Sequence, residues 1–142
     1  EPMPTRSGPI RATERATGDD LARLTALDAD LDHAIAQGDL RGYLEMNYRF
    51  HSRLYALAAA PILANVADGL WVRFGPSLRV VCGRIGTHNL PDKHKDMLAA
   101  MAAGDAEAAA TAIREDVTQG MEQVRHSFAP RCDSIDTAYD TA

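Results

Sequence analysis

The sequence predicts an all-α fold, an antiparallel bundle of helices joined by short loops. Apolar residues recur with a period near 3.6 in several long segments, as on one face of a helix. No segment of four or more residues alternates convincingly between apolar and polar side chains, as a half-buried strand would. Alanine is abundant and aromatic residues make up only 6% of the chain, which favours closely packed helices.

Composition limits the function classes. The chain has 142 residues, 46% of them hydrophobic, which is enough for one globular domain with a sizeable core. Its formal charge is −5 and it has no cluster of Lys or Arg, so the chain alone is a poor candidate for binding nucleic acid. No apolar run approaches the roughly 20 residues of a membrane span. Two cysteines without metal-type spacing and the lack of a secretory signal favour a cytoplasmic location.

Three segments are predicted along the chain. Residues 1–13 hold three prolines and are expected to form an extended lead-in or linker, because proline lacks the amide donor of a helix interior. Residues 14–128 are expected to form the helical bundle. Residues 129–142 are expected to form a flexible tail.

The first predicted long helix is capped at Thr17 and ends near Gly38. Asp39 caps the next helix, which ends before Pro61. Pro61 is a suitable first residue for a third helix, in which Gly75 and the following proline predict a kink. The apolar stripe of this third helix comprises Val66, Leu70, Val72, Phe74, Leu78 and Val81.

A polar connection from residue 83 to residue 91 separates these helices from the last two. A helix is predicted from about Asp92, with Met97 and Met101 on its apolar face. Gly104 should end that helix and Asp105 should cap the final one, since glycine is common after a helix and aspartate before it.

Four polar residues interrupt the apolar stripes of three of these helices. Asn47 and His51 lie four apart on one stripe, His94 lies on a second and Asp116 on a third. Buried polar groups need a partner, and two imidazoles, a carboxylate and an amide oxygen suit a divalent metal. The alternative is that each is a polar side chain satisfied by water or by a neighbour.

These residues also carry a family resemblance. Gly38-Asp39 and the Asn47 to His51 spacing resemble a signature of the effector-binding FCD domain of GntR-family, FadR-like transcription regulators. A second signature is similar to the run from His94 to Gly104-Asp105, with Lys93 where the family has Glu. The third is a His 22 positions after the second signature, where this chain has Asp116.

The resemblance implies a bundle of six or seven helices around a cavity that holds a divalent metal and a small organic acid. It implies Asn47, His51, His94 and Asp116 as metal ligands. Zinc is the default ion, and the carboxylate and amide also suit nickel, manganese or iron. Arg73 and Arg79, on the third long helix, are candidates for pairing with the carboxylate of the effector.

The predicted function is therefore an effector-sensing, dimerising domain of a bacterial regulator, and not an enzyme. A homodimer is expected because the helices beginning at Asp20 and Pro61 carry more apolar residues than one core needs. DNA binding is expected only through a winged helix-turn-helix domain that this chain lacks, since no recognition-helix pattern precedes Asp20. The alternatives are an oxygenase-like enzyme with two His and one carboxylate, and a purely structural dimerisation module.

Overall fold

The computed structural model describes residues 8–59, 61–85 and 93–128, and this part of the chain is a bundle of six helices without a strand. The predicted all-α fold is confirmed. Among the described helices, none is long and apolar enough to cross a membrane. The helices are α1 (Gly8–Arg15), α2 (Gly18–Gln37), α3 (Leu40–Leu57), α4 (Pro61–Ile85), α5 (His94–Ala102) and α6 (Ala106–Phe128).

Helix α1 corrects the expectation of an extended lead-in for residues 8–13. Residues 1–7 and the predicted flexible tail, residues 129–142, lie outside the described part of the chain. The chain is helical from Gly8, and Ala12 is fully buried where α1 packs against α3 and α6. Pro9 is compatible with this helix because it lies in the first turn, where backbone N–H groups have no helical acceptor. The predicted boundary at residue 14 is therefore too late, and α1 is part of the bundle.

The turn between α2 and α3 follows the predicted caps. Gly38 has a φ of 66°, which L side chains rarely adopt, and it ends α2. Asp39 begins α3, where its Oδ1 accepts a hydrogen bond from the Gly42 N–H at 2.9 Å. At the other end of α2, Thr17 and Asp20 form a reciprocal capping box. Because the turn is so short, α2 and α3 fold back onto each other.

The turn between α5 and α6 is built in the same way. Gly104 has a φ of 71°, and Asp105 Oδ1 accepts a hydrogen bond from the Ala108 N–H at 3.0 Å. Helix α4 begins at Pro61, as predicted, and continues through Pro76. The kink expected at Pro76 stays a prediction.

Among the side chains that the structure describes, those of α1, α2, α3, α5 and α6 form most of the core. Its largest fully buried apolar side chains are Leu24, Leu31, Phe50, Leu54 and Met97. Small residues on α6, among them Ala109 and Ala112, let that helix approach its neighbours closely. Three polar side chains, from Asp28, His51 and His94, are buried among these apolar groups. They locate the candidate site.

Candidate metal centre

Two histidines lie in the core because their helices present them on apolar faces. His51 follows the fully buried Phe50 on α3 and is itself only 4% exposed. His94 is the first residue of α5 and is 2% exposed. Imidazoles at this depth need polar partners, because an unpaired buried donor or acceptor is costly.

The structure brings both histidines to Asp116 on α6. Oδ2 of Asp116 lies 3.2 Å from Nε2 of His51 and 3.7 Å from Nε2 of His94. The two Nε2 atoms are 3.4 Å apart. We call His51, His94 and Asp116 the central cluster. Its three possible ligand atoms all lie within 4.8 Å of one another, so one ion can contact all of them.

Asp116 is held in its ionised form. Burial raises the pKa of its carboxyl group, but the interactions with His51 and His94 outweigh this and bring the pKa well below its usual value. The backbone N–H of Lys93 donates a hydrogen bond to Oδ1 at 3.1 Å. One carboxylate oxygen is thus bonded at the start of α5, and the other faces the two imidazoles.

Ring contacts fix the orientation of His94. The Phe50 ring stacks on it with a centroid distance of 3.8 Å and an interplanar angle of 13°. The imidazole therefore cannot swing out of its plane without moving a fully buried aromatic side chain.

Aromatic side chains from α3 and α4 surround His51. The rings of Tyr55 and Trp71 each lie 6.2 Å from the His51 ring. Burial, and then the charge of Asp116, raise the pKa of the Tyr55 hydroxyl, so Tyr55 stays neutral. Tyr48 meets the Trp71 ring edge-on at 5.7 Å. Sequence reasoning did not single out this aromatic group, because aromatic residues on helices are most often ordinary core.

Three of the four predicted metal ligands come together, and the fourth lies nearby. Asn47 is half-buried on α3, one helical turn before His51. Its role as a ligand stays a prediction. Arg73 is exposed on α4, and the side chain of Arg79 lies outside the described part of the structure. The predicted contacts of both arginines with an effector also stay predictions.

Asp28 is a site residue that sequence reasoning missed. It is buried on α2, with Oδ1 3.4 Å from Nδ1 of His94 and Oδ2 3.2 Å from Nζ of Lys95. Burial raises the pKa of Asp28, but the contacts with His94 and Lys95 keep it below its usual value. The sequence feature that could have identified Asp28 as buried is its position on the apolar stripe of α2, four residues after Leu24 and three before Leu31.

The donor set fits a divalent transition metal. Two imidazole nitrogens and one carboxylate oxygen are typical ligands of zinc, and they also suit nickel, manganese and iron. Three protein ligands leave positions open for water or for a small molecule.

A profile of the FCD domain family matches residues 10–119. The HTH-type transcriptional regulator McbR of Escherichia coli K12 is 31% identical over 113 residues, which cover 78% of this chain and 51% of that protein. A solved structure of E. coli McbR/YncC is similar to this fold, with a TM-score of 0.77 and 28% identity over 85% of this chain and 58% of that one. The chain therefore spans about half the length of these relatives.

Proposed function

Because the chain belongs to the FCD domain family, we propose that it is the effector-sensing and dimerising domain of a bacterial GntR-family transcription regulator. The observation that carries this proposal is the central cluster. Two buried imidazoles and a half-buried, ionised carboxylate meet inside a helical bundle, where polar groups are costly unless they are paired or bind an ion. The similarity to a transcriptional regulator supports a regulatory and non-enzymatic role in the cytoplasm.

The central cluster would hold one divalent ion, with zinc as the default and nickel, manganese or iron as alternatives. His51 and His94 offer Nε2, and Asp116 offers Oδ2, the oxygen not engaged by the Lys93 amide. Asn47 would be the fourth protein ligand. When bound, the ion supplies a Lewis-acidic centre that can accept an oxygen donor from a small molecule.

The charge of the site predicts the class of the effector. Asp116 is the only anionic residue among the proposed ligands, so a divalent ion there keeps a net charge of about plus one. A small mono- or dicarboxylate, such as a sugar acid or hydroxy acid, neutralises that charge and displaces water in one step. Apolar neighbours such as Leu54, Met97 and Ile113 limit its size. Arg73 and Arg79 are candidates for pairing with its carboxylate.

A thermal-shift screen of small carboxylates tests the effector. A true effector should stabilise the zinc-loaded domain by about 2.7 kcal/mol at a hundredfold excess over its dissociation constant. The same screen after chelator treatment and dialysis is the control, and there the shift should vanish. Equal shifts with and without metal would show that the carboxylate binds independently of the ion. A complete absence of hits would favour a structural dimerisation module.

The domain is expected to form a homodimer through α4. Ile62, Val66 and Leu70 follow one another at four-residue intervals on this helix and are 77%, 55% and 48% exposed. Such a stripe on a surface helix favours burial against a second copy. Light scattering at tens of micromolar should give twice the mass of the chain, and Val66→Glu should reduce it to the monomer mass.

Met121→Glu on α6 is the matched control for the dimer, because Met121 is also partly exposed, at 46%, and lies outside the α4 stripe. It should leave the dimer intact. A monomeric wild-type domain at these concentrations would contradict the proposal. In the whole regulator, DNA contacts would come from a separate winged helix-turn-helix domain, and the spacing of two such domains would change when the effector binds.

A further inference from the structure

We propose that Asp28 is a positioning residue for the central cluster. By accepting a hydrogen bond from Nδ1–H of His94, it fixes the tautomer that presents the Nε2 lone pair to the ion. The consequence for metal affinity rests on the proposed function, whereas the tautomer can be observed without metal.

The geometry of His94 supports this role. Its Nδ1 faces Oδ1 of Asp28 at 3.4 Å, while its Nε2 faces His51 and Asp116. The stacked Phe50 ring holds the plane of the imidazole. A distance of 3.4 Å exceeds the usual range of about 2.7–3.2 Å, and Asp28 Oδ1 makes no hydrogen bond within the described part of the chain. The proposed hydrogen bond therefore requires the two atoms to move a few tenths of an ångström closer and into line, which would also give this buried oxygen a partner. Metal-bound histidines usually donate their second ring N–H to such a carboxylate or to a carbonyl.

The charged groups around Asp28 also support its role in positioning His94. An apolar residue would fit more simply between Leu24 and Leu31, since both are fully buried and a buried carboxylate is costly. The chain instead buries a carboxylate and places Lys95 beside it, with Nζ 3.2 Å from Oδ2. Lys95 also contacts the more exposed Asp32 at 2.8 Å. Asp28 therefore stays ionised and remains a strong acceptor for His94.

The contact between the two histidines agrees with the same tautomer. Two neutral imidazole nitrogens 3.4 Å apart can share a hydrogen bond only if one carries the hydrogen and the other does not. With the His94 proton on Nδ1, the His94 Nε2 is an acceptor. His51 is then the donor, and its Nε2–H points to His94 and to Asp116. His94 is thus prepared for a metal ion, whereas His51 must move its ring proton to Nδ1.

Nitrogen-15 NMR of the histidine rings at pH 8, together with a zinc titration, tests the proposal. The metal-free wild-type domain should show His94 protonated on Nδ1. Asp28→Leu removes the acceptor, so it should lose this tautomer preference and lower zinc affinity about 10- to 100-fold. Asp28→Asn keeps an acceptor oxygen and should retain the tautomer. Asp32→Asn is the matched control, because Asp32 shares Lys95 with Asp28, and it should change neither readout.

Two results would overturn the proposal: a wild-type His94 protonated on Nε2, or an Asp28→Leu variant with wild-type tautomer and zinc affinity. If Asp28→Leu fails to fold by circular dichroism, Asp28→Ala takes its place as the variant without an acceptor. A wild-type domain that binds no zinc would contradict the metal-binding part of the proposed function. The tautomer of the metal-free protein would still decide the role of Asp28.

Discussion

Replacing His51 or His94 with alanine is expected to abolish stoichiometric metal binding by this domain. Each variant removes one of three donors whose ligand atoms lie within 4.8 Å of one another. One imidazole and Asp116 then remain, with Asn47 as a weaker third ligand, and this set should release the ion on dialysis because zinc prefers nitrogen and sulfur donors. Elemental analysis of protein loaded with excess zinc and then dialysed should give about one ion per wild-type chain and almost none per variant.

His33→Ala is the matched control for this experiment, because His33 is exposed on α2 and does not belong to the metal donor set found among the described residues. It should retain the full amount of zinc. If both core variants also retain stoichiometric zinc, the ion binds elsewhere and the central cluster is a polar core without metal. Circular dichroism of each variant distinguishes loss of the ligand from loss of the fold.

Replacing Phe50 with alanine is expected to lower the free energy of unfolding by about 3–5 kcal/mol. Phe50 is fully buried at the centre of the core and stacks on His94. Whole domains are stable by only about 5–15 kcal/mol, so this variant should lie near the limit of folding. Urea unfolding followed by circular dichroism measures the change.

Two further variants sharpen the test of Phe50. Val117→Ala on α6 removes a side chain that is 46% exposed and should cost less than about 1 kcal/mol. Phe50→Leu keeps an apolar side chain in the core but removes the stacked ring, so it should fold more stably than the alanine variant. A loss below about 1 kcal/mol in Phe50→Ala would show that the centre of the core lies elsewhere.

The helix ends were predictable because their signals are local. Thr17, Gly38, Asp39 and Gly104 act through their own backbone angles or through amides a few residues away, so the sequence alone contains the relevant contacts. The same local reasoning failed at α1. Proline excludes a helix interior but not a first turn, and the short α1 is stabilised by burial of Ala12 against distant segments.

The candidate site was predictable only in part. Periodicity places His51, His94 and Asp116 on apolar stripes, but their convergence depends on the packing of α3, α5 and α6, which one sequence does not contain. Asp28 was missed because two more aspartates follow within four residues, and together they resemble a solvated acidic face. Periodicity also finds the apolar stripe of α4 without showing what covers it, and Val66 and Leu70 prove to be exposed.

The sequence separation within the central cluster affects when it can form. His51 and His94 lie 43 positions apart, and Asp116 comes from a further helix. No single helical hairpin contains the cluster. The cluster therefore forms only after distant parts of the chain have come together, which lowers the conformational entropy of the chain. In the unfolded chain the same side chains are separate, weak ligands. An ion should therefore enter after the bundle has assembled, and its uptake should lag behind folding.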